Sequence, residues 1–251
     1  MCGMLIAIGK VNLGPLIEGA ILMAKDQIKE HEYNKEKEIG SYTHPDGWGI
    51  AYLNNKNKWI IKKSIKPIFD DPETNKLKKI KARMAIIHAR QASIGELTIE
   101  NNQPFITTKK GKYFLFAHNG TTRDKISHSS EFIPKGTTDS ERLFYSILSD
   151  LDEKDTINSI KSNLQQYKDV TKNNLILVTP KRTYVSVNAD KAPLHNQMRL
   201  LKHKEMVVVS SNAFPTKIKK ENPPAWKEIE FGDSVIIEND KLEVTIIKEN
   251  K

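Results

Sequence analysis

The only cysteine of this 251-residue chain is Cys2, which stands between the initiator methionine and Gly3. A lone cysteine cannot form an internal disulfide, and a cysteine kept for packing would more usually lie inside a strand or helix. If Met1 is removed, Cys2 carries both a thiol and a free α-amine. Such an amine has a pKa of about 7.7–8.0, so it can serve as the general base for its own side chain. The position of Cys2 favours a nucleophile, but position alone is weak evidence.

Further residues that could take part in catalysis lie in four short blocks downstream: HPDGWGIAY (44–52), HARQASIGELTIENNQPF (88–105), FAHNGTT (116–122) and GTTDSE (136–141). Their order behind Cys-Gly resembles the class II glutamine amidotransferases, whose glutaminase domain is an N-terminal-nucleophile hydrolase. The stretch from VVVSSNAF to FGDSVII is also similar to the C-terminal strands of stand-alone members. The resemblance therefore covers the full length of the chain.

The resemblance implies a substrate-binding role for three residues. Arg90 would bind the α-carboxylate of a glutamyl substrate, a task that suits the planar guanidinium fork. Asp139 would pair with the α-ammonium group, and Ser93 would contact the same α-groups. Two alternatives stay open at this point. Arg90 is also compatible with a surface arginine after a strand, and Asp139 with an acidic residue favoured at a helix start.

The resemblance also implies an oxyanion hole. The side-chain amide of Asn119 and the backbone N–H of Gly120 would stabilise the developing negative charge, and Cys2, Asn119 and Gly120 would form the catalytic set. The loss of one such donor typically costs about 10²–10³ in rate. The alternative is that Asn-Gly simply marks a tight turn after a strand.

Other residues of these blocks receive no catalytic role. His88 and His118 are expected to be hydrogen-bonded structural residues and not general bases. Trp48, flanked by glycines, is expected either to form an aromatic wall at a tight strand entry or to pack in the core. The sugar-phosphate synthase branch commonly reads Asn-x-His-Pro in the second block. Here Gln103 takes the place of the histidine, which argues against that branch and leaves the catalytic set untouched.

Composition limits the possible partners. The net charge is +9, with lysine clusters at 56–66, 76–83 and 217–220. Such a balance can attract anions, but no aromatic-plus-basic binding motif accompanies the lysines, so we expect a solvated surface and no nucleic-acid partner. The single cysteine favours the cytoplasm, and no apolar run is long enough for a membrane span. The absence of metal-ligand spacing and of nucleotide motifs predicts no cofactor and no metal.

The apolar pattern predicts an α+β fold as strands, then helices, then more strands. We expect a helix over 13–30, a hairpin from 47–53 and 59–65, a helix after TTDSE and a second helix near 153–168. The resemblance implies a four-layer αββα sandwich, with residues 1–251 forming a single domain.

Three functions remain open at this stage. In the first, the chain hydrolyses the γ-glutamyl amide of glutamine or of another small γ-glutamyl compound through a Cys2 thioester. In the second, it is a glutaminase subunit that passes ammonia to a separate synthase partner, since the chain ends where the hydrolase domain is expected to end. In the third, it is a basic binding module with a vestigial site. The intact set of site residues argues against the third.

Overall fold

The computed structural model describes residues 2–28, 43–188, 197–215 and 225–249. Met1, the end of the predicted first helix at 29–30 and the lysine cluster at 217–220 lie outside these ranges. The described ranges contain thirteen strands and four helices.

Two sheets account for all thirteen strands. The seven-stranded first sheet has the spatial order β11 (Lys227–Glu228), β9 (Arg199–His203), β10 (Met206–Ser210), β1 (Gly3–Asn12), β4 (Lys81–Ala89), β2 (Trp48–Leu53), β3 (Trp59–Ser64). The six-stranded second sheet has the order β13 (Val244–Ile247), β12 (Ser234–Glu238), β8 (Arg182–Ser186), β7 (Val170–Val178), β6 (Lys112–Thr122), β5 (Phe105–Lys109). The strand pairs within both sheets are antiparallel.

The helices cover the outer faces of the two sheets. Helices α1 (Leu13–Ala24) and α2 (Glu73–Leu77) share an apolar cluster with the first sheet, whereas α3 (Asp139–Ser149) and α4 (Thr156–Leu164) share one with the second. A third cluster fills the space between the sheets. Three stacked cores between four layers confirm the predicted αββα sandwich.

Strand β1 shows how the sequence creates these layers. Leu5 and Ala7 belong to the cluster under α1, and Met4, Ile6 and Ile8 belong to the cluster between the sheets. Because successive side chains of a strand point to opposite faces, a continuous apolar run can bury both faces at once. The central place of β1 in the first sheet follows from this pattern, and it fixes the position of Cys2 at one end of the sandwich.

The first helix is shorter than its apolar periodicity predicts. Asn12 caps α1 by accepting a hydrogen bond from Gly14 N–H at 3.2 Å. The helix ends at Ala24, and Asp26 has a left-handed backbone conformation with φ of 57°. Ile28 is nevertheless buried, because the chain after the helix folds back onto the same core. Ile28 therefore fits the apolar periodicity of the helix and is buried without being part of it.

The other predicted elements are present with smaller differences. The hairpin from β2 to β3 is confirmed, and the Asn54 side chain accepts hydrogen bonds from two backbone N–H groups in its turn. The helix after TTDSE is α3, and the second helix spans only Thr156–Leu164.

Candidate active site

Cys2 directly precedes β1 and is half-buried. Its thiol donates a hydrogen bond to the carbonyl of Gln91 at 3.4 Å and accepts one from the Gln91 N–H at 3.3 Å. Burial raises the pKa of the Cys2 thiol, while the Gln91 N–H and Arg90 act in the opposite direction. A buried thiol of this kind is a weak nucleophile until a base removes its proton.

The second sheet brings Asn119 to the nucleophile. Asn119 and Gly120 lie near the end of β6, and the Asn119 amide donates a hydrogen bond to the carbonyl of Cys2 at 2.5 Å. The same nitrogen lies 3.2 Å from the hydroxyl of Ser211. Asn119 and Gly120 are therefore strand residues and not a tight turn.

Arg90 directly follows β4 and is almost completely buried, which excludes a surface arginine. Its guanidinium donates hydrogen bonds to the carbonyls of Glu96 at 3.0 Å, Ile94 at 3.1 Å and Gly95 at 3.2 Å. Arg90 thus shapes the 94–96 loop, a role that its motif did not reveal.

The surroundings of Arg90 are acidic. Burial lowers the pKa of Arg90, whereas the nearby Cys2, Asp46 and Asp139 raise it. Charges that leave water in this way need opposite charges or hydrogen bonds close by. The candidate site therefore contains both signs of charge beside the thiol.

Asp139 is the first residue of α3 and is buried. Its carboxylate accepts a hydrogen bond from the N–H of Thr122 at 2.7 Å, which ties the helix start to the end of β6. Ser93 lies with its hydroxyl 2.9 Å from that of Thr121. The helix-start interpretation of Asp139 is correct, and it is compatible with a binding role because the same end of the helix faces the site.

The contacts above gather all six predicted site residues at one end of the sandwich. Sequence reasoning missed two others there. Asp46 accepts a hydrogen bond from the Ala92 N–H at 2.7 Å, and Ser211 joins Asn119 to the N–H of Met4 at 3.1 Å. Asp46 lies within the HPDGWG block, so its carboxylate could have been recognised as a candidate site residue from the sequence. No sequence motif around Ser211 indicated that it would contact Asn119.

Comparison with known proteins decides the family. A family model described as "Glutamine amidotransferases class-II" matches residues 33–176, more than half of the chain. The chain belongs to the class II glutamine amidotransferases. The matched range starts after Cys2 and includes Arg90, Asn119 and Asp139.

Individual relatives agree with this family. YafJ of Escherichia coli (strain K12), a protein named as a glutamine amidotransferase, is 35% identical over 118 residues, which span 46% of this chain and 46% of YafJ. The match therefore covers about half the length of that relative.

Two solved structures share the fold. An allosteric regulatory enzyme of purine biosynthesis has a TM-score of 0.64 and 18% identity over 99% of this chain and 50% of its own. A class II glutamine aminotransferase domain protein from Silicibacter pomeroyi has a TM-score of 0.62 and 14% identity over 98% of both chains. At these identities the likeness concerns the sandwich alone.

The two motif histidines of this amidotransferase differ in their surroundings. His118 has its Nδ1 2.9 Å from Ser140 Oγ and its Nε2 3.0 Å from Asn173 Oδ1. Because an amide oxygen only accepts, Nε2 carries the proton and Nδ1 accepts from Ser140. His88 is fully buried, and the hydrogen-bonding groups that face its ring are the backbone of His118 and the side chain of Asn119. The predicted structural role fits His118, whose two ring nitrogens both have side-chain partners, and it fits the buried His88 beside Asn119.

Burial lowers the pKa of His88 to about 3. An unfolded histidine has a pKa of about 6.5, so below that pH the unfolded chain binds a proton that the folded chain does not. We expect the free energy of unfolding to be unaffected by His88 above pH 6.5 and to fall by about 1.4 kcal/mol per pH unit below it. Urea unfolding at pH 7.5 and 5.5, with an NMR titration of His88, measures both. An imidazole that protonates near pH 6.5 in the folded protein would contradict this.

Trp48 packs in the core beneath α1, where its indole N–H donates to Asp71 at 3.2 Å. The core-packing alternative for Trp48 is therefore correct. A separate cleft of about 730 Å³ lies at the opposite end of the sandwich, lined in part by Gly9, Trp59 and Tyr113. Because Gly9 lies near the far end of β1 from Cys2, this cleft does not belong to the candidate site.

Among residues 2–28, 43–188, 197–215 and 225–249, no group of three or more His, Cys, Asp or Glu side chains could hold a metal ion. In the same part of the chain, no helix has the length and apolar character needed to cross a membrane.

Proposed function

We propose that this amidotransferase cleaves the γ-glutamyl amide bond of glutamine or of another γ-glutamyl compound through a thioester on Cys2. The observation that carries the proposal is the meeting of two sheets at the nucleophile. The Asn119 amide of the second sheet lies 2.5 Å from the Cys2 carbonyl of the first. A cysteine with an amide donor held against its own carbonyl brings together a nucleophile and the kind of oxyanion donor that acyl transfer uses.

The reaction begins with removal of Met1, which frees the α-amine of Cys2. That amine takes the proton of the thiol, and the thiolate sulfur forms a bond to the γ-carbonyl carbon. The electron pair of the carbonyl π bond moves to oxygen, where an Asn119 N–H and the Gly120 N–H stabilise it. One Asn119 N–H turns from its present acceptor for this purpose.

Collapse of this tetrahedral intermediate breaks the carbon–nitrogen bond. The α-ammonium group returns its proton to the leaving amine, which departs as ammonia or as a substituted amine. Water then attacks the γ-glutamyl thioester with the α-amine as base, and glutamate leaves as the carbon–sulfur bond breaks. Atoms and charge balance with water as the only co-substrate.

Substrate recognition in this proposal uses the mixed charges of the site. The buried guanidinium of Arg90 binds the α-carboxylate, Asp139 binds the α-ammonium group and Ser93 contacts the same groups. Arg90 and Ser93 lie in the segment after β4, and Asp139 lies at the start of α3. Substrate binding by all three residues therefore requires that both sheets and this helix are folded together. We also propose that residues 1–251 form a single domain of this type, supported by the 98% mutual coverage with the Silicibacter pomeroyi protein.

The proposed role of Asp139 gives a direct prediction. Asp139→Asn keeps an oxygen that can accept the Thr122 N–H but removes the negative charge. We expect kcat/KM for L-glutamine to fall about 10- to 100-fold, the value of a hydrogen bond to a charged group, mainly through KM. Steady-state assays with L-glutamine and with 4-carbamoylbutanoate, which lacks the α-amine, measure this.

The second substrate is the control for the Asp139→Asn prediction. The wild type should strongly prefer L-glutamine, and the variant should lose most of that preference because the α-ammonium no longer has its partner. An unchanged preference would show that Asp139 serves only the helix start.

A second candidate function is a glutaminase subunit that delivers ammonia to a separate protein. It is supported by the purine-biosynthesis enzyme, in which the matched region is only 50% of the chain and leaves room for another activity. The chemistry at Cys2 is the same in both functions, and only the fate of the leaving amine differs.

A substrate panel separates the two candidates. Protein with a confirmed Cys2 N-terminus is assayed for glutamate release from L-glutamine and from γ-glutamyl peptides and γ-glutamyl amines, with Cys2→Ala as the control. Preference for a γ-glutamyl peptide or amine supports the self-sufficient amidohydrolase. Preference for L-glutamine excludes a dedicated γ-glutamyl peptide or amine hydrolase and supports the glutaminase chemistry that the second candidate needs. No release above the Cys2→Ala control from any substrate would contradict both.

A further inference from the structure

Gln103 is a buried residue of the second block that the proposed reaction does not use. Its side-chain N–H donates to the carbonyl of His118 at 3.1 Å, and its side-chain oxygen accepts from the His118 N–H at 2.6 Å. One amide side chain therefore satisfies both backbone groups of the residue that precedes Asn119.

The register explains why a side chain occupies this position. Strand β5 begins at Phe105, which pairs with Phe116 of β6. Gln103 lies two residues before Phe105, and His118 lies two residues after Phe116. Continued by this distance, the antiparallel ladder would place Gln103 opposite His118. The Gln103 side chain takes the place of the missing backbone pair and extends the ladder by one step, up to the residue next to the oxyanion donor.

The backbone of Gln103 contacts the other sheet. Its carbonyl oxygen lies so close to Gly49 of β2 that a Cβ at Gly49 would collide with it. Gly49 pairs with His88 of β4, and His88 pairs with Met4 of β1. Gln103 thus joins the strand that carries Asn119 to the sheet that carries Cys2.

We propose that Gln103 is a positioning residue that sets the distance between the Cys2 sulfur and the oxyanion donors Asn119 and Gly120. This inference rests on the proposed function and adds a residue to it. The nucleophile and the donors belong to different sheets, so their separation depends on contacts that span the interface. Rate depends steeply on such alignment, and the Gln103 contacts lie one residue from Asn119.

The amide of glutamine is specifically suited to this task. It offers one donor and one acceptor in a plane, which matches the N–H and C=O of a peptide. Methionine has a similar length but neither group. Glutamate at this position keeps the acceptor for the His118 N–H. When ionised, it places a second oxygen acceptor against the His118 carbonyl, which is unfavourable. When protonated, its O–H can donate to that carbonyl as the glutamine amide does.

The test is a double-mutant cycle that joins Gln103→Met with Asn119→Ala. We expect Gln103→Met alone to lower kcat for the best panel substrate about 10- to 100-fold, less than outright loss of an oxyanion donor, with KM changed less than about threefold. In the Asn119→Ala background the same substitution should lower kcat by a clearly smaller factor than in the wild type, because one of the two donors that it misplaces is already gone. Circular dichroism and thermal unfolding check that each variant is folded.

The cycle distinguishes positioning from general damage. An equal loss of kcat in both backgrounds, or no loss with Gln103→Met alone, would overturn the inference. If Gln103→Met does not fold, Gln103→Glu replaces it, and its kcat relative to wild type should rise as the pH falls and the carboxyl gains a proton. A pH-independent ratio would then overturn the inference. A failure of the proposed function would be recognised separately, because the wild type would then release no more glutamate than the Cys2→Ala control.

Discussion

Replacing Cys2 by alanine is expected to abolish glutamate release from every γ-glutamyl substrate. The substitution removes the only thiol of the chain and with it the atom that forms the thioester. Loss of a catalytic nucleophile lowers kcat on the order of 10⁶-fold in a well-studied hydrolase, so we expect a rate at the background of the assay. The measurement is a coupled glutamate assay over long incubation.

The fold should survive the Cys2→Ala change. The described hydrogen bonds of the Cys2 sulfur are both to Gln91, and the apolar clusters of the sandwich do not include Cys2. We expect the melting temperature to change by only a few degrees, as for a typical surface or half-buried substitution. A folded variant that keeps a substantial rate would exclude Cys2 as the nucleophile.

Blocking the N-terminus is expected to have the second-largest effect. Retained Met1 or an appended residue converts the α-amine of Cys2 into an amide, which cannot accept a proton. A general base typically contributes about 10²–10⁴ in rate, and the buried thiol depends on it because burial raises the Cys2 pKa. Intact-mass spectrometry of each preparation, plotted against its rate, should show activity proportional to the fraction that begins with Cys2.

A matched pair of preparations controls for the tag itself. One carries a removable N-terminal tag whose cleavage leaves Cys2 as the first residue, and the other carries the same tag at the C-terminus. Cleavage should restore the rate of the first to that of the second. Full activity with the tag or Met1 still attached would show that another group deprotonates the thiol.

Local patterns predicted the elements well where burial and periodicity coincide. The apolar run of β1 and the capped start of α3 at Thr138 are examples, since each depends on residues close in sequence. Strand β5 was not predicted, because FITTK carries few apolar residues and gains its structure from pairing with β6. The end of α1 also depended on tertiary packing.

The same distinction applies to the candidate site. The motifs made Cys2, Arg90 and Asn119 candidates because their residue types suit the chemistry in any context. They could not show that Gln103 pairs with the His118 backbone, or that Ser211 contacts Asn119 from 92 residues away. Such contacts depend on the register of strands in two sheets, which no local pattern of residues specifies.

Trapping the covalent intermediate tests the central claim most directly. Protein that begins with Cys2 is mixed with saturating L-glutamine or the best panel substrate, quenched in acid during the first turnover, digested and examined by mass spectrometry. We expect the N-terminal peptide to carry a γ-glutamyl group on Cys2 that disappears as glutamate is released. Turnover with Cys2 unmodified, or with the γ-glutamyl group on another residue, would contradict the thioester mechanism.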